Sequence, residues 1–313
     1  MSEQIATRVA YGEALLELGR RNQDVVVLDA DLSGSTKTNL FAKEFPERFF
    51  NMGVAEQNLM AAAAGLAHAG KLPFASTFAI FAAGRAWEVV RQSIAYSATN
   101  VKIFASHGGV TVGPDGGSHQ AIEDLALMRT LPNMIVIVPA DGVEMKKVVE
   151  AMAEIQGPCY VRGGRIKFPV IFDDSYEFRV GKGVCLRQGK DVTLAACGIM
   201  VHQALAAAEL LASERVHAEV LNLSTIKPLD EDLLQESVAK TGCLVTCEEH
   251  LVNGGLGGAC AEALGELQPA PLERIGVRDT FGVSGDPNEL LEYFGLMPAD
   301  IVAAARRVIG RKS

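Results

Sequence analysis

The stretch VKIFASHGGVTVGPDGGSHQAIEDLALMRTLPNMIVIVPADGVE, residues 101–144, joins two short apolar runs through a glycine-rich polar turn and a helix-like segment. The runs VKIFAS (101–106) and MIVIVPA (134–140) read as strands of a sheet covered on both faces. Asp141 and Glu144, in DGVE, resemble a capping box that opens the next helix. The same rhythm runs upstream, where VVVLDA (25–30), RFFNM (48–52) and LPFAST (72–77) each lead into a loop and a helical pattern. After Glu56, the segment QNLMAAAAGLAHAG places Leu59, Met60, Ala63, Leu66 and Ala67 on one helical stripe and stops at Gly70. Strands and helices alternating in this way build a parallel sheet between layers of helix.

An irregular stretch, KFPVIFDDSYEFRVGKGVCLRQGK (167–190), interrupts the alternation with prolines, glycines and charges. From Asp191 the pattern restarts in DVTLAAC, VHQALAAAELLASE, HAEVLNLS, DEDLLQESVAKTG and CLVTCEEH. The expected fold is α/β, two doubly wound domains with mostly parallel sheets, over residues 1–168 and 191–313, with a linker at 169–190. No internal repeat is evident.

Composition narrows the function. The chain has 313 residues, 49% hydrophobic and 21% charged, enough to bury two ordinary cores and too apolar for extensive disorder. Its formal net charge of -9 comes without a Lys/Arg-rich block, so nothing builds a nucleic-acid face. No apolar run reaches membrane-spanning length, and the start MSEQIATRV lacks the core of a signal peptide, so a cytoplasmic protein is expected. The six cysteines lie in apolar surroundings without zinc-ligand spacing and read as buried free thiols.

In open parallel sheets, ligands bind beyond the carboxyl ends of the strands, where loops and helix N-termini converge. The polar outliers of the first domain follow that rule. Asp29 and Asp31 come after the first run, Glu56 after the second, Phe78 and Phe81 after the third, and His107 ends the fourth and leads to Asp115 and His119. Each also has a structural reading: the aspartates as turn or cap residues, the phenylalanines as core, His107 as a satisfied buried histidine, GPDGGSH as a plain flexible loop. Two ionisable side chains in so glycine-rich a loop weigh against the last of these.

GVAEQN (53–58), STFAIF (76–81), SHGGVTVGPDGGSHQAIEDLALMRTLPNM (106–134) and GPCYVRGGR (157–165), in this order and at these separations, resemble the pyrimidine-binding domain of the transketolase family. The restart after Asp191 resembles that family's C-terminal domain. The resemblance implies thiamine diphosphate as cofactor and transfer of a two-carbon ketol unit from a ketose phosphate to an aldose phosphate. It makes Glu56 the carboxyl that meets a ring nitrogen of the aminopyrimidine and starts the proton transfer, with a helix-dipole role as the structural alternative. Phe78 and Phe81 match the aromatic pair that packs the aminopyrimidine, and Asp31 matches an acidic residue near the cofactor at the subunit interface. His107 matches a histidine near the reacting carbons, and Asp115 the residue that reads a donor hydroxyl. Arg8, Ser35, His119 and Arg165 match phosphate-binding positions, with Arg162 a second choice beside Arg165. Glu56, His107 and His119 are thus the implied catalytic residues. Gly84 stands where the family's next aromatic would be, a gap left to Arg85, Trp87 or a partner.

The GDG motif by which the family holds the cofactor's diphosphate through a divalent cation appears nowhere in the sequence. The resemblance is therefore to the C-terminal subunit of a split transketolase of the pentose phosphate pathway. It implies an N-terminal partner subunit that carries GDG and Mg2+ or Ca2+, an alpha2beta2 heterotetramer, and no activity of this chain alone. Two alternatives stand beside it: a decarboxylating thiamine enzyme, of the deoxyxylulose phosphate synthase or 2-oxoacid dehydrogenase beta kind, and a non-catalytic scaffold. VNGGLGGAC (252–260) could be an anion site at a helix start, but reads better as a structural turn.

Overall fold

The computed structural model describes residues 3–312. β1 (Gln4–Ala6) leads into the helix Thr7–Arg21. β2 (Val25–Asp29), β3 (Phe49–Asn51), β4 (Leu72–Phe78), β5 (Lys102–Ser106), β6 (Ile135–Ile137) and β7 (Cys159–Arg162) are mutually parallel, in the spatial order 6-7-5-4-2-3. β2, β4, β5 and β7 are buried along their whole length, which is why their sequences run apolar instead of alternating. Lys102 is the exception within β5, and its ammonium donates to the carbonyls of Ile155 (2.7 Å) and Gly157 (2.8 Å). β8 (Lys167–Pro169) returns antiparallel to β1.

The helix after Glu56 spans Glu56–His68, with Leu59, Met60, Ala63 and Ala64 buried. Leu66 and Ala67 are only partly covered, so the buried stripe is shorter and turned toward Ala64. The DGVE cap is present and extended. Asp141 accepts from the Glu144 amide (2.8 Å), and the Glu144 carboxylate accepts from the Ala140 amide (2.7 Å). A cap of this kind contributes about 1 kcal/mol. Both acids also reach across the chain: Asp141 takes the amides of Ile171 and Phe172 (2.6 and 2.9 Å), and Glu144 takes the Tyr176 hydroxyl (2.7 Å) and the Asn222 amide (3.0 Å).

That anchoring corrects the expected linker. Within 169–190, β9 (Val184–Arg187) is a strand of the second sheet, antiparallel to the strand Ala218–Asn222. With β10 (Val192–Ala196), β11 (Ala218–Asn222), β12 (Thr225–Lys227), β13 (Leu244–Leu251) and β14 (Leu272–Val277), the second domain has strands to spare. Its sheet runs 14-13-10-11-9, and β12 leaves it to pair antiparallel with β6 of the first sheet.

Candidate active site

Because β2, β3, β4, β5 and β7 are parallel, their carboxyl ends open on one rim. The loops leaving that rim carry nearly every residue singled out in the sequence. Glu56 lies in the first turn of its helix and is 1% exposed. Arg85 Nη1 stands 3.2 Å from Glu56 Oε2, while the Arg85 side chain is itself 53% exposed. The guanidinium also sits 5.1 Å from the centre of the Phe81 ring. Of the residues beside Gly84, Arg85 is the one whose side chain reaches Glu56 and Phe81. Trp87 does not, since its indole N–H donates to the Leu127 carbonyl at 3.1 Å.

An aromatic wall continues from there. Phe78 and Phe81 are nearly coplanar in orientation (9°), with ring centres 6.0 Å apart. The His107 ring stacks on Phe78 at 3.9 Å, and His119 meets Phe81 edge-on at 5.5 Å. Ser118 Oγ lies 2.9 Å from His119 Nδ1, which fixes the ring's orientation. Glu56, Phe78, Phe81, His107 and His119 thus form one connected cluster.

His107 is buried and held at a positive φ of 60°, a conformation that needs surrounding structure to enforce it. Ser106 Oγ lies 2.6 Å from its Nδ1. Burial first, then the charges of Arg8, Arg165 and His119, push its pKa from 6.5 down to about 3. The imidazole is neutral at neutral pH, able to donate at one nitrogen and accept at the other. The unfolded chain takes up this proton near pH 6.5 and the folded chain only near 3. His107 therefore lends stability above pH 6.5 that is lost as pH falls toward 3. An NMR titration of the isolated chain should show its ring resonances flat from pH 8 to 5, whereas an inflection near 6.5 would contradict this environment.

The phosphate candidates gather at one side. Arg8 donates to the carbonyls of Ser35 (2.9 Å) and Arg165 (3.2 Å), and Arg165 donates to the Val112 carbonyl. Burial and the like charge of Arg165 both lower the Arg8 pKa. Two guanidiniums brought together in this way are arranged for an anion. Arg162 is placed elsewhere: it is buried, its Nη2 bonds the carbonyls of Ala121 (2.7 Å) and Glu249 (2.9 Å), and its Nε faces Asp124 at 3.3 Å. Tyr160 OH donates to the same carboxylate at 2.7 Å. Arg162 is an interior crosslink and Arg165 a rim residue.

Asp29 is buried and accepts from the Leu32 amide, Thr36 and Thr38, so it shapes a turn. Asp31 is exposed on the same rim and accepts from Asn51 at 2.8 Å. Asp115 is exposed at the end of the turn Val110–Asp115. Ser35 meets the cluster through its carbonyl. The glycine-rich start of the helix Leu256–Leu267 is already satisfied, because the Glu248 carboxylate takes the amides of Leu256 and Gly257 (2.7 and 2.8 Å). Among the described residues no group of three or more His, Cys, Asp and Glu is placed to hold a metal ion. No helix there is long and apolar enough to cross a membrane.

Residues 3–170 match the family profile described as transketolase, pyrimidine binding domain, and residues 181–301 that described as transketolase, C-terminal domain. This chain belongs to the transketolase family. It is 50% identical over 305 residues to a Methanocaldococcus jannaschii protein assigned by inference as a transketolase C-terminal section, covering 96% of this chain and 95% of that one. It is 44% identical to a 6-deoxy-6-sulfo-D-fructose transketolase subunit of Clostridium sp., covering 98% and 95%. A solved split-gene transketolase, an inactive beta4 tetramer, superposes with a TM-score of 0.93 at 55% identity, covering 99% of this chain and 100% of that one.

Transketolases use thiamine diphosphate, and one end of that cofactor fits here. A buried carboxyl beside an aromatic wall, paired with a half-exposed arginine, suits a flat heteroaromatic ring that carries a basic nitrogen. The Arg85–Glu56 pair was not specified by the sequence, which left Arg85, Trp87 or a partner open beside Gly84 and also left Arg162 open beside Arg165.

Proposed function

We propose that this chain is the C-terminal subunit of a thiamine-diphosphate-dependent transketolase, moving a two-carbon ketol unit from a ketose phosphate to an aldose phosphate. The observation that carries this reading is the single cluster of Glu56, Phe78, Phe81, His107 and His119, with Arg8 and Arg165 beside it. When bound, thiamine diphosphate supplies the electron sink for carbanion chemistry. Glu56 would hold the proton at the aminopyrimidine nitrogen, and Phe78 with Phe81 would pack against that ring. Neutral His107 meets the polar groups near the reacting carbons, and Asp115 and His119 orient the donor. Asp31 lies on the side where the second subunit closes.

An N-terminal partner with the GDG motif supplies the diphosphate site and its Mg2+ or Ca2+, in an alpha2beta2 heterotetramer. The split-gene relative's inactivity as a beta4 tetramer supports the need for that partner. Six free cysteines, five of them buried, suit a reducing cytoplasm and the sugar-phosphate metabolism expected there. The Arg8 and Arg165 pair selects sugars with an anionic end, a class that spans phosphates and sulfonates.

Mixing the purified chain with its N-terminal subunit, thiamine diphosphate and Mg2+ should give ketol transfer from xylulose 5-phosphate to ribose 5-phosphate, and the chain alone should give none. Full activity without a partner, or pyruvate consumption in place of ketol transfer, would overturn the assignment. Arg165→Ala should raise KM for phosphorylated sugars about 10- to 100-fold, the loss of a charged hydrogen bond of about 1.5–3 kcal/mol, with a smaller change in kcat.

A further inference from the structure

The loop between β5 and the helix Asp124–Arg129 carries His107, Asp115 and His119, and its glycines are spaced for contact with the second domain. A Cβ added at Gly109 would lie 2.2 Å from Glu249 Cδ, at Gly116 2.4 Å from Ser284 Oγ, and at Gly117 2.5 Å from the Gly282 carbonyl oxygen. The glycines let two backbones and a carboxyl approach to distances that any side chain forbids. Hydrogen bonds use that proximity. The Thr111 amide donates to Glu249 Oε1 at 2.5 Å, and Gln120 Nε2 bonds both the Val110 carbonyl (3.0 Å) and the Val283 carbonyl (2.9 Å). Arg162 ties the Glu249 carbonyl to that of Ala121 at the loop's far end, and the Leu251 amide donates to the Ile122 carbonyl at 2.7 Å. Val110, Thr111 and Val112 are fully buried as a result.

We infer that Glu249, on β13 of the second domain, is a positioning residue of the transketolase site. Its carboxyl fixes the turn after His107, and the second domain thereby sets the placement of His107 and His119 without touching substrate. Burial raises the proton affinity of Glu249, which the Arg162 charge and the Thr111 amide oppose. A buried carboxyl is costly unless fully bonded, and this one is bonded to the active-site loop.

The test uses the isolated chain first. In Glu249→Ala, amide exchange at Thr111 should quicken about 10-fold on loss of its acceptor, and the His107 ring resonances should shift. Glu249→Gln keeps an acceptor oxygen and should stay close to the parent chain. In the reconstituted enzyme, Glu249→Ala should lower kcat about 100-fold, the effect of misplacing a reacting group by roughly an ångström. KM for the phosphorylated donor should rise less than kcat falls, because of the two anion-facing arginines only Arg165 touches the tethered turn, through the Val112 carbonyl. Unchanged His107 resonances and Thr111 exchange in Glu249→Ala, or equal damage from Gln and Ala, would overturn the inference. If Glu249→Ala does not fold, Gln120→Ala cuts the tie to Val283 instead. The same His107 shift is expected there, and an unaltered spectrum refutes the positioning role. The kinetic arm rests on the transketolase reading, whereas the spectroscopic arm does not, so the two fail separately.

Discussion

Glu56→Ala in the reconstituted enzyme is expected to lower ketol transfer about 10²- to 10⁴-fold, the range spanned by a positioned proton-transfer group. Glu56 is 1% exposed, and among the described residues its ion-pair partner is the half-exposed Arg85. Stability should change far less than activity, since the Arg85 head group returns to water when its partner is removed. Steady-state rates and a urea denaturation curve on the same preparation separate the two effects. A variant that keeps a tenth of the parent rate would remove Glu56 from the mechanism. Calorimetric titration with thiamine diphosphate in the presence of the partner should weaken in parallel.

Arg162→Met should do the reverse. This substitution strips the buried Asp124 carboxylate of its counter-charge and removes a donor from the carbonyls of Ala121 and Glu249, the first of which keeps the Gly109 amide. Breaking a buried pair from one side costs about 3–5 kcal/mol. Burial works against the Arg162 charge, but Asp124 and Glu249 outweigh it and hold the pKa above its ordinary value, so the guanidinium is charged in the folded chain. Urea denaturation should show the loss directly. Arg165→Ala, on the rim, should stay within about 0.5 kcal/mol of the parent, as surface substitutions usually do. Equal stability of the two variants would mean that the interior crosslink is not carrying the joint between loop and second domain.

The contrast between those two arginines shows where sequence stops being legible. YVRGGR holds both within a few residues, and only the strand's end decides which one faces inward: Arg162 is the last residue of β7, and Arg165 lies beyond it. The rim itself was readable, because parallel strands put every following loop on one side, and Glu56, Phe78, Phe81, His107 and His119 fell there together. Arg85 was visible only as one of three ways to fill a gap. Trp87 turns toward Leu127, a tertiary contact without a local signature. β9 was hidden among turn-forming residues because VCLR is half-buried on a sheet edge and carries no strong alternation. The glycines of the active-site loop looked like flexibility in sequence and are close approach in the fold, a difference that only the neighbouring domain reveals.

β12 was the least visible element, three residues that pair with a strand far upstream. It also makes the two domains poor candidates for exchange. A chimera joined within 169–190 would take Thr225–Lys227 away from β6 and leave that strand as a bare edge, free to recruit strands from other molecules. Any graft between relatives must therefore carry β6 and β12 from the same parent, so recombination in this family should respect a boundary that the order of residues along the chain does not draw.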